Sequence, residues 1–162
     1  MTKRAPETPA TRALDALGLD YTPHPYAHDP SAEGYGLEAA RELGVAPERV
    51  FKTLVADAEG SLVVGVVPVS SMLDLKALAA AVSAKRAVMA DPVLAERRTG
   101  YVVGGISPLG QRSRLPLVLD SSALSLTTVF VSGGRRGFDL ELSPADLLTA
   151  TGGSTAAIGV RR

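Results

Sequence analysis

"VFKTLVADAEGSLVVGVVPV" (residues 50–69) holds two apolar runs on either side of Asp57-Ala58-Glu59-Gly60. "VFKTLVA" and "LVVGVVPV" read as strands, because β-branched residues dominate them, and the acidic, glycine-ended break between them is a hairpin signal. An early hairpin sets the class of the fold. Strands joined by so short a break run antiparallel, which argues against a doubly wound parallel sheet.

Helical signals lie outward on both sides. Thr8-Pro9 opens a helix with a capping residue and a proline at the first position, and that helix runs to Gly18. "LDYTPHPY" is extended, since Pro23 and Pro25 exclude helix. Ser31 is placed to cap a second helix with Glu33 in its first turn, ending at Gly44, with Gly34 and Gly36 near its start. Beyond the hairpin, "LDLKALAAAV" carries leucines at helical spacing, "AVMA" is a short strand and Asp91-Pro92 starts a helix to Thr99. "GYVVGGISPLG" reads as a strand and a loop, "LPLVLD", "TTVFVSG" and "FDLEL" as strands, and Ser143-Pro144 as the start of a last helix. The pattern is one α+β domain, with residues 1–7 a frayed tail and residues 8–162 the folded unit.

Length and composition agree. The 162 residues, 46% apolar and 21% charged, suit one globular domain with an aliphatic core, because there are three Phe, four Tyr and no Trp. No cysteine is present, which excludes disulfides, thiolate metal sites and a cysteine nucleophile. "MTKRAPETPATRALDALG" has no apolar core of a secretory signal, and no run approaches the ~18 apolar residues of a membrane span. The expected location is the cytoplasm, with no membrane partner. Net charge is zero but uneven: residues 1–60 carry ten acids and six bases, whereas residues 85–136 carry eight bases and three acids. That excess can meet a phosphate backbone or be a solvated surface.

Four stretches carry possible chemistry. Lysine occurs only at positions 3, 52, 76 and 85, and Lys52 interrupts an apolar run. It is either an edge-strand charge that discourages aggregation or an ammonium lining a cleft. In "GYVVGGISPLGQ" (100–111), the glycines can bring a backbone close to a ligand and Pro108 fixes the loop. The pattern is neither a nucleophile elbow, a Walker loop nor a dinucleotide fingerprint. In "VSGGRRGFDLEL" (131–142), Ser132 ends one strand and Asp139 lies in the next, facing either solvent or a site. In "HPYAHDP", Pro25 prevents His24 and His28 from sharing a helix face, so no metal site is expected.

Taken together and in this order, "YAHDP", "VFKTL", "VVPV", "LDLKALA", "MADP", "RRTGYVVGGISPLGQRSRLP" and "VFVSGGRRGFDLEL" resemble the YbaK/EbsC family of aminoacyl-tRNA deacylases. These are relatives of the editing insertion domain of bacterial prolyl-tRNA synthetases. The resemblance runs from about Tyr21 to Leu148. It implies a single compact α+β domain with a mixed, largely antiparallel, barrel-like sheet flanked by helices. It puts the family's essential lysine on Lys52, with Thr53 beside it, and the family's glycine-to-proline substrate loop on Gly104, Gly105, Ile106, Ser107 and Pro108. Tyr26, Ser132 and Asp139 complete the implied substrate pocket.

Within the family the resemblance is greatest to members that hydrolyse cysteinyl-tRNA(Pro). It implies trans-editing of Cys-tRNA(Pro), with the substrate's own thiol attacking its ester, amides of the Gly104 loop holding the carbonyl, and no cofactor. Arg97, Arg98, Arg112, Arg114, Arg135 and Arg136 would then contact tRNA phosphates, and prolyl-tRNA synthetase would be a transient partner. The alternatives are a deacylase for Ala-tRNA(Pro) or another mischarged tRNA, a non-catalytic module that captures the tRNA 3′ end, and a small-molecule binding domain.

Overall fold

The computed structural model describes residues 6–29, 31 and 34–161. Residues 1–5 of the expected tail lie outside these, as does Glu33. In chain order the elements are α1 (Pro9–Leu17), β1 (Thr22–Pro25), α2 (Tyr35–Leu43), β2 (Phe51–Ala58), β3 (Ser61–Pro68), β4 (Ser71–Leu73), α3 (Leu75–Ala81), β5 (Val88–Met89), α4 (Pro92–Thr99), β6 (Leu117–Asp120), β7 (Val129–Arg135), β8 (Phe138–Leu142), α5 (Pro144–Thr151), β9 (Ser154–Ala156) and β10 (Gly159–Arg161).

The β2–β3 hairpin forms as its sequence requires. Ala58 pairs with Ser61, so the loop is Glu59-Gly60 alone, and both residues have positive φ (54° and 91°). That is the primed turn whose twist matches its strands, and the Asp57 carboxylate anchors it by accepting from the Gly60 amide at 2.7 Å. β2 and β3 are central in a five-stranded sheet of order β5-β2-β3-β6-β9. β5 and β3 each pair antiparallel with β2, whereas β6 runs parallel to β3 and β9 parallel to β6. A three-stranded antiparallel sheet, β1-β8-β7, packs beside it, and β4 pairs with β10. Pro23 and Pro25 lie in β1, an edge strand, where a missing N–H is tolerated.

A parallel bridge between Val50 and Phe130 links the two larger sheets. They enclose one core: Phe51 and Val55 of β2, Val64 and Val66 of β3, Leu119 of β6, Val131 of β7 and Phe138 and Leu140 of β8 are all buried in it. α1 covers this core through Ala10 and Leu14, α5 through Leu147. The other face of the five-stranded sheet is covered by Leu78 of α3 and by Ile158. This is a mixed α+β domain. No described helix is long and apolar enough to cross a membrane.

α1 begins at the expected residue. Thr8 caps it by accepting from the Thr11 amide while Thr11 Oγ1 accepts from Thr8 N, and Gly18 ends it with φ 68°. Two readings are corrected. Ser31 does not cap α2: its amide and hydroxyl both donate to the Asp29 carboxylate, and Gly34 takes the N-cap position. "GYVV" is not a strand. The Gly105 amide closes a turn onto the Val102 carbonyl, the Val103 amide donates to Glu96, and Val102 and Val103 face solvent, 68% and 42% exposed.

Candidate active site

A cavity of about 390 Å³ opens along the first half of β2. It exists because β5 pairs with β2 only at Ala56 and Asp57, leaving Phe51 to Leu54 without a strand on that side. Val50 accepts from the Val69 amide, and Val55 accepts from the Ala90 amide on the opposite edge. By strand alternation the main-chain groups of Phe51 and Thr53 therefore point to the open edge. The first turn of α2, the start of α4, the Val103–Ile106 segment and the β7 and β8 strands close the remaining sides. Most of the wall is apolar, with Phe51, Val55, Val69, Met89, Ala90 and Ile106 prominent.

Polar groups enter from segments far apart in sequence. Lys52 is half-buried on the cavity wall, on a strand that is an edge at that point. Thr53 also lines the cavity. Its Oγ1 is buried and has no hydrogen-bond partner among the described residues, an arrangement that carries a desolvation cost unless a ligand supplies the bond. Ser132 and Asp139 are directly opposite each other in the β7–β8 ladder, and both reach the cavity. Asp139 is 5% exposed, and burial pushes its carboxyl up to about 7. Tyr26 completes this side. Its amide donates to the Gly137 carbonyl at 2.9 Å, and burial, with the Asp139 charge adding, pushes its phenol up to about 12. It is a neutral hydroxyl at physiological pH.

The glycine loop divides into a wall and a brace. Gly104 and Ile106 line the cavity, whereas Gly105, Ser107 and Pro108 do not. Ser107 is fully buried. Its hydroxyl accepts from the Leu109 amide and its carbonyl from Gln111, while Tyr101 donates to the Leu109 carbonyl at 2.6 Å. Gly104 has φ +93°, a conformation that disfavours any side chain. A Cβ there would lie 2.5 Å from Arg136 Nε, and one at Gly105 3.0 Å from Arg135 Cα. Gly104 is thus favoured chiefly by its φ and Gly105 by the close approach of the β7–β8 turn backbone, so room for substrate is not the sole reason for either. Since the Gly105 amide is committed to Val102, the Gly104 and Ile106 amides are the loop's candidate donors to a ligand.

The six arginines fall into separate places. Arg135 lies at the cavity wall. Arg136 Nη2 donates to the Val103 carbonyl at 3.0 Å, with its guanidinium over the Tyr35 ring at 4.0 Å. Arg97, Arg98 and Arg112 gather at the end of α4, where Arg112 donates to the Arg97 carbonyl and Arg98 to Ser113. Arg114 packs against Gly152 at the end of α5. All six are exposed.

The two histidines serve separate carboxylates: His24 meets Glu141 at 2.9 Å and His28 meets Glu38 at 2.7 Å. Among the described residues no three such groups are placed to hold a metal ion. Glu38 and Tyr35 escaped the sequence reading. Glu38 is 2% exposed, accepts from the Asp29 amide as well, and is held below the usual carboxylate range by its bond to His28. The signal for it was a glutamate placed beside Ala39 and Ala40 on the buried face of α2.

Fold and cavity define an α+β domain in which an apolar wall faces a lysine, hydroxyls and a buried carboxyl. Residues 30–150 match the family model of the aminoacyl-tRNA editing domain. Over 158 residues, 96% of this chain and 95% of the relative, the sequence is 35% identical to the Enterococcus faecalis protein described as "Putative Cys-tRNA(Pro)/Cys-tRNA(Cys) deacylase EbsC". It is 30% identical over 98 residues to the proline–tRNA ligase of Moorella thermoacetica, a match spanning 60% of this chain and 17% of that enzyme. A crystal structure described as that of "a putative trans-editing enzyme for prolyl tRNA synthetase" superposes with a TM-score of 0.79 at 25% identity, covering 96% of this chain and 99% of the other. The chain belongs to the aminoacyl-tRNA editing domain family, in its YbaK/EbsC branch.

Proposed function

We propose that the protein is a trans-editing aminoacyl-tRNA deacylase that clears cysteine from mischarged Cys-tRNA(Pro). The observation that carries this reading is the convergence of Tyr26, Lys52, Thr53, Gly104, Ser132 and Asp139 on one cavity, in a chain of this family. The similarity to a protein named for Cys-tRNA(Pro) and Cys-tRNA(Cys) supports the substrate class.

An ester is reactive enough that positioning and charge stabilisation can supply the catalysis. The substrate thiol attacks the ester carbonyl: a carbon–sulfur bond forms, the carbon–oxygen bond to the ribose breaks, and the thiol proton passes to the departing ribose hydroxyl. Water then opens the cyclic thioester. The Gly104 and Ile106 amides face the carbonyl oxygen as charge develops there. Lys52 orients the terminal nucleotide or the α-amino region, and Asp139 accepts a bond from the substrate amine. Thr53 and Ser132 supply hydroxyls to the same group. Ser107 and Pro108 act through the shape of the loop.

Volume favours chemical over steric selection. A cavity of about 390 Å³ is far larger than a cysteine side chain, so it cannot separate cysteine from alanine or serine by size. One small group more or less in an apolar pocket is worth only about 1–3 kcal/mol. A reaction that needs the thiol discriminates without a sieve. The exposed arginines at the end of α4, with Arg114 and Arg135, contact the acceptor-stem phosphates, which position the tRNA without reading its sequence. Recognition of tRNA(Pro) then rests with a transient complex with prolyl-tRNA synthetase.

The test is deacylation of cysteinyl- and alanyl-tRNA(Pro) by the purified protein, with and without prolyl-tRNA synthetase. Cleavage of the cysteinyl ester supports the assignment. Preferential cleavage of the alanyl ester moves it to another substrate, and tight tRNA binding without turnover makes the protein a capture module.

A further inference from the structure

We propose that Arg136 is a positioning residue, a strap that fixes the Gly104 loop against the first turn of α2 and so sets the mouth of the cavity. The inference rests on the proposed deacylase function for its kinetic readout, though not for its structural one.

Arg136 occupies the β7–β8 turn and reaches both walls. One end of its guanidinium donates to the Val103 carbonyl at 3.0 Å, on the residue before Gly104. Its face lies over the Tyr35 ring at 4.0 Å, inside cation–π range. The guanidinium lies so close over Gly104 that a Cβ there would have to displace it. Tyr35 is held in turn from its other neighbour. The His28 ring is 6.0 Å from it, and His28 is bonded to buried Glu38 at 2.7 Å. Gly137 closes the set by accepting from the Tyr26 amide. A continuous line of contacts therefore runs from the Gly104 loop through Arg136, Tyr35 and His28 to Glu38. It explains the "YAHDP" segment, whose histidine has no place in the chemistry. A planar guanidinium is needed, because a lysine cannot donate in the plane of Val103 and stack flat on Tyr35 together. What separates Arg136 from Arg98 and Arg112, which also donate within the chain, is its acceptor: Val103 lies in the cavity wall, next to Gly104.

The experiment compares wild type, Arg136→Ala, Arg136→Lys, Tyr35→Leu and the Arg136→Ala/Tyr35→Leu pair on two substrates, Cys-tRNA(Pro) and cysteine esterified to adenosine. Amide hydrogen exchange is read at residues 103–106. The strap predicts a fall in kcat/KM of about tenfold to a hundredfold on both substrates, carried by kcat, for every variant. It also predicts an unchanged salt slope, no further loss in the double variant, and faster exchange at 103–106 with β3 unaffected. A loss confined to the tRNA substrate, with the salt slope reduced by about one or full rescue by Arg136→Lys, overturns it in favour of a phosphate contact. Unaltered exchange at 103–106 also overturns it. If wild type cleaves neither substrate, the function is refuted while the exchange comparison still decides the strap.

Discussion

Ser132 and Asp139 face each other across the β7–β8 ladder and present a hydroxyl and a buried carboxyl to the same cavity. The carboxyl is the more informative of the two. It lies in a strand whose other face is core, at Phe138 and Leu140, and it lines the cavity while only 5% exposed. Burial pushes that carboxyl up to about 7, which makes it measurable.

Asp139 binds a proton in the folded state up to about pH 7, whereas in the unfolded chain it releases it near 3.8. Between those values the folded state holds more protons, so this group's contribution to stability falls as pH rises from about 4 to 7. The shift corresponds to a few kcal/mol, at about 1.4 kcal/mol per unit. Asp139→Asn, which cannot ionise, should be more stable than wild type at pH 8, and the difference should vanish below about pH 4. Urea denaturation at several pH values reads this. Equal stabilities throughout would show that the carboxyl ionises freely.

Lys52→Ala should lose about a hundredfold or more in kcat/KM while keeping a native melting temperature, since one transition-state contact of this kind is worth about 3 kcal/mol. Lys52→Arg should fail as well, because a planar fork does not replace a compact ammonium in a confined wall. A fully active Lys52→Ala protein would reduce Lys52 to an edge charge on β2.

Gly104→Ala should destabilise the fold by roughly 1–3 kcal/mol, because alanine at φ +93° is strained and its methyl meets the Arg136 guanidinium. Activity should fall with it. Removing the obstruction with Arg136→Ala should recover part of the stability and none of the activity. Chemical denaturation of the two single variants and the double gives the coupling.

The rate at low substrate should drop steeply with added salt, and neutralising Arg97, Arg98 or Arg112 should each lower the slope of log rate against log salt by about one. A flat response would remove the acceptor-stem contact.

Much of the frame was legible because its signals are local. The β2–β3 hairpin declares itself through Gly60 and two valine-rich runs, and α1 through Thr8, Pro9 and Gly18. β4, β9 and β10 were not, since "SML", "STA" and "GVR" are three residues each and have no alternation to read. Val102 and Val103 misled in the other direction, as valines that line a rim and not a sheet. In the site, Lys52 stood out as a cation in an apolar run. The Arg136 contacts could not be seen, because its hydrogen-bond partner Val103 lies 33 residues away and only the fold of the β7–β8 turn brings them together.

The central claim, that the substrate's thiol opens its own ester inside this cavity, is tested most directly by single-turnover deacylation of Cys-tRNA(Pro) beside the same tRNA carrying S-methylcysteine. The account predicts rapid release from the first and a rate near the uncatalysed one for the second. Equal enzyme-catalysed rates would contradict it, since water or a protein group would then be the nucleophile.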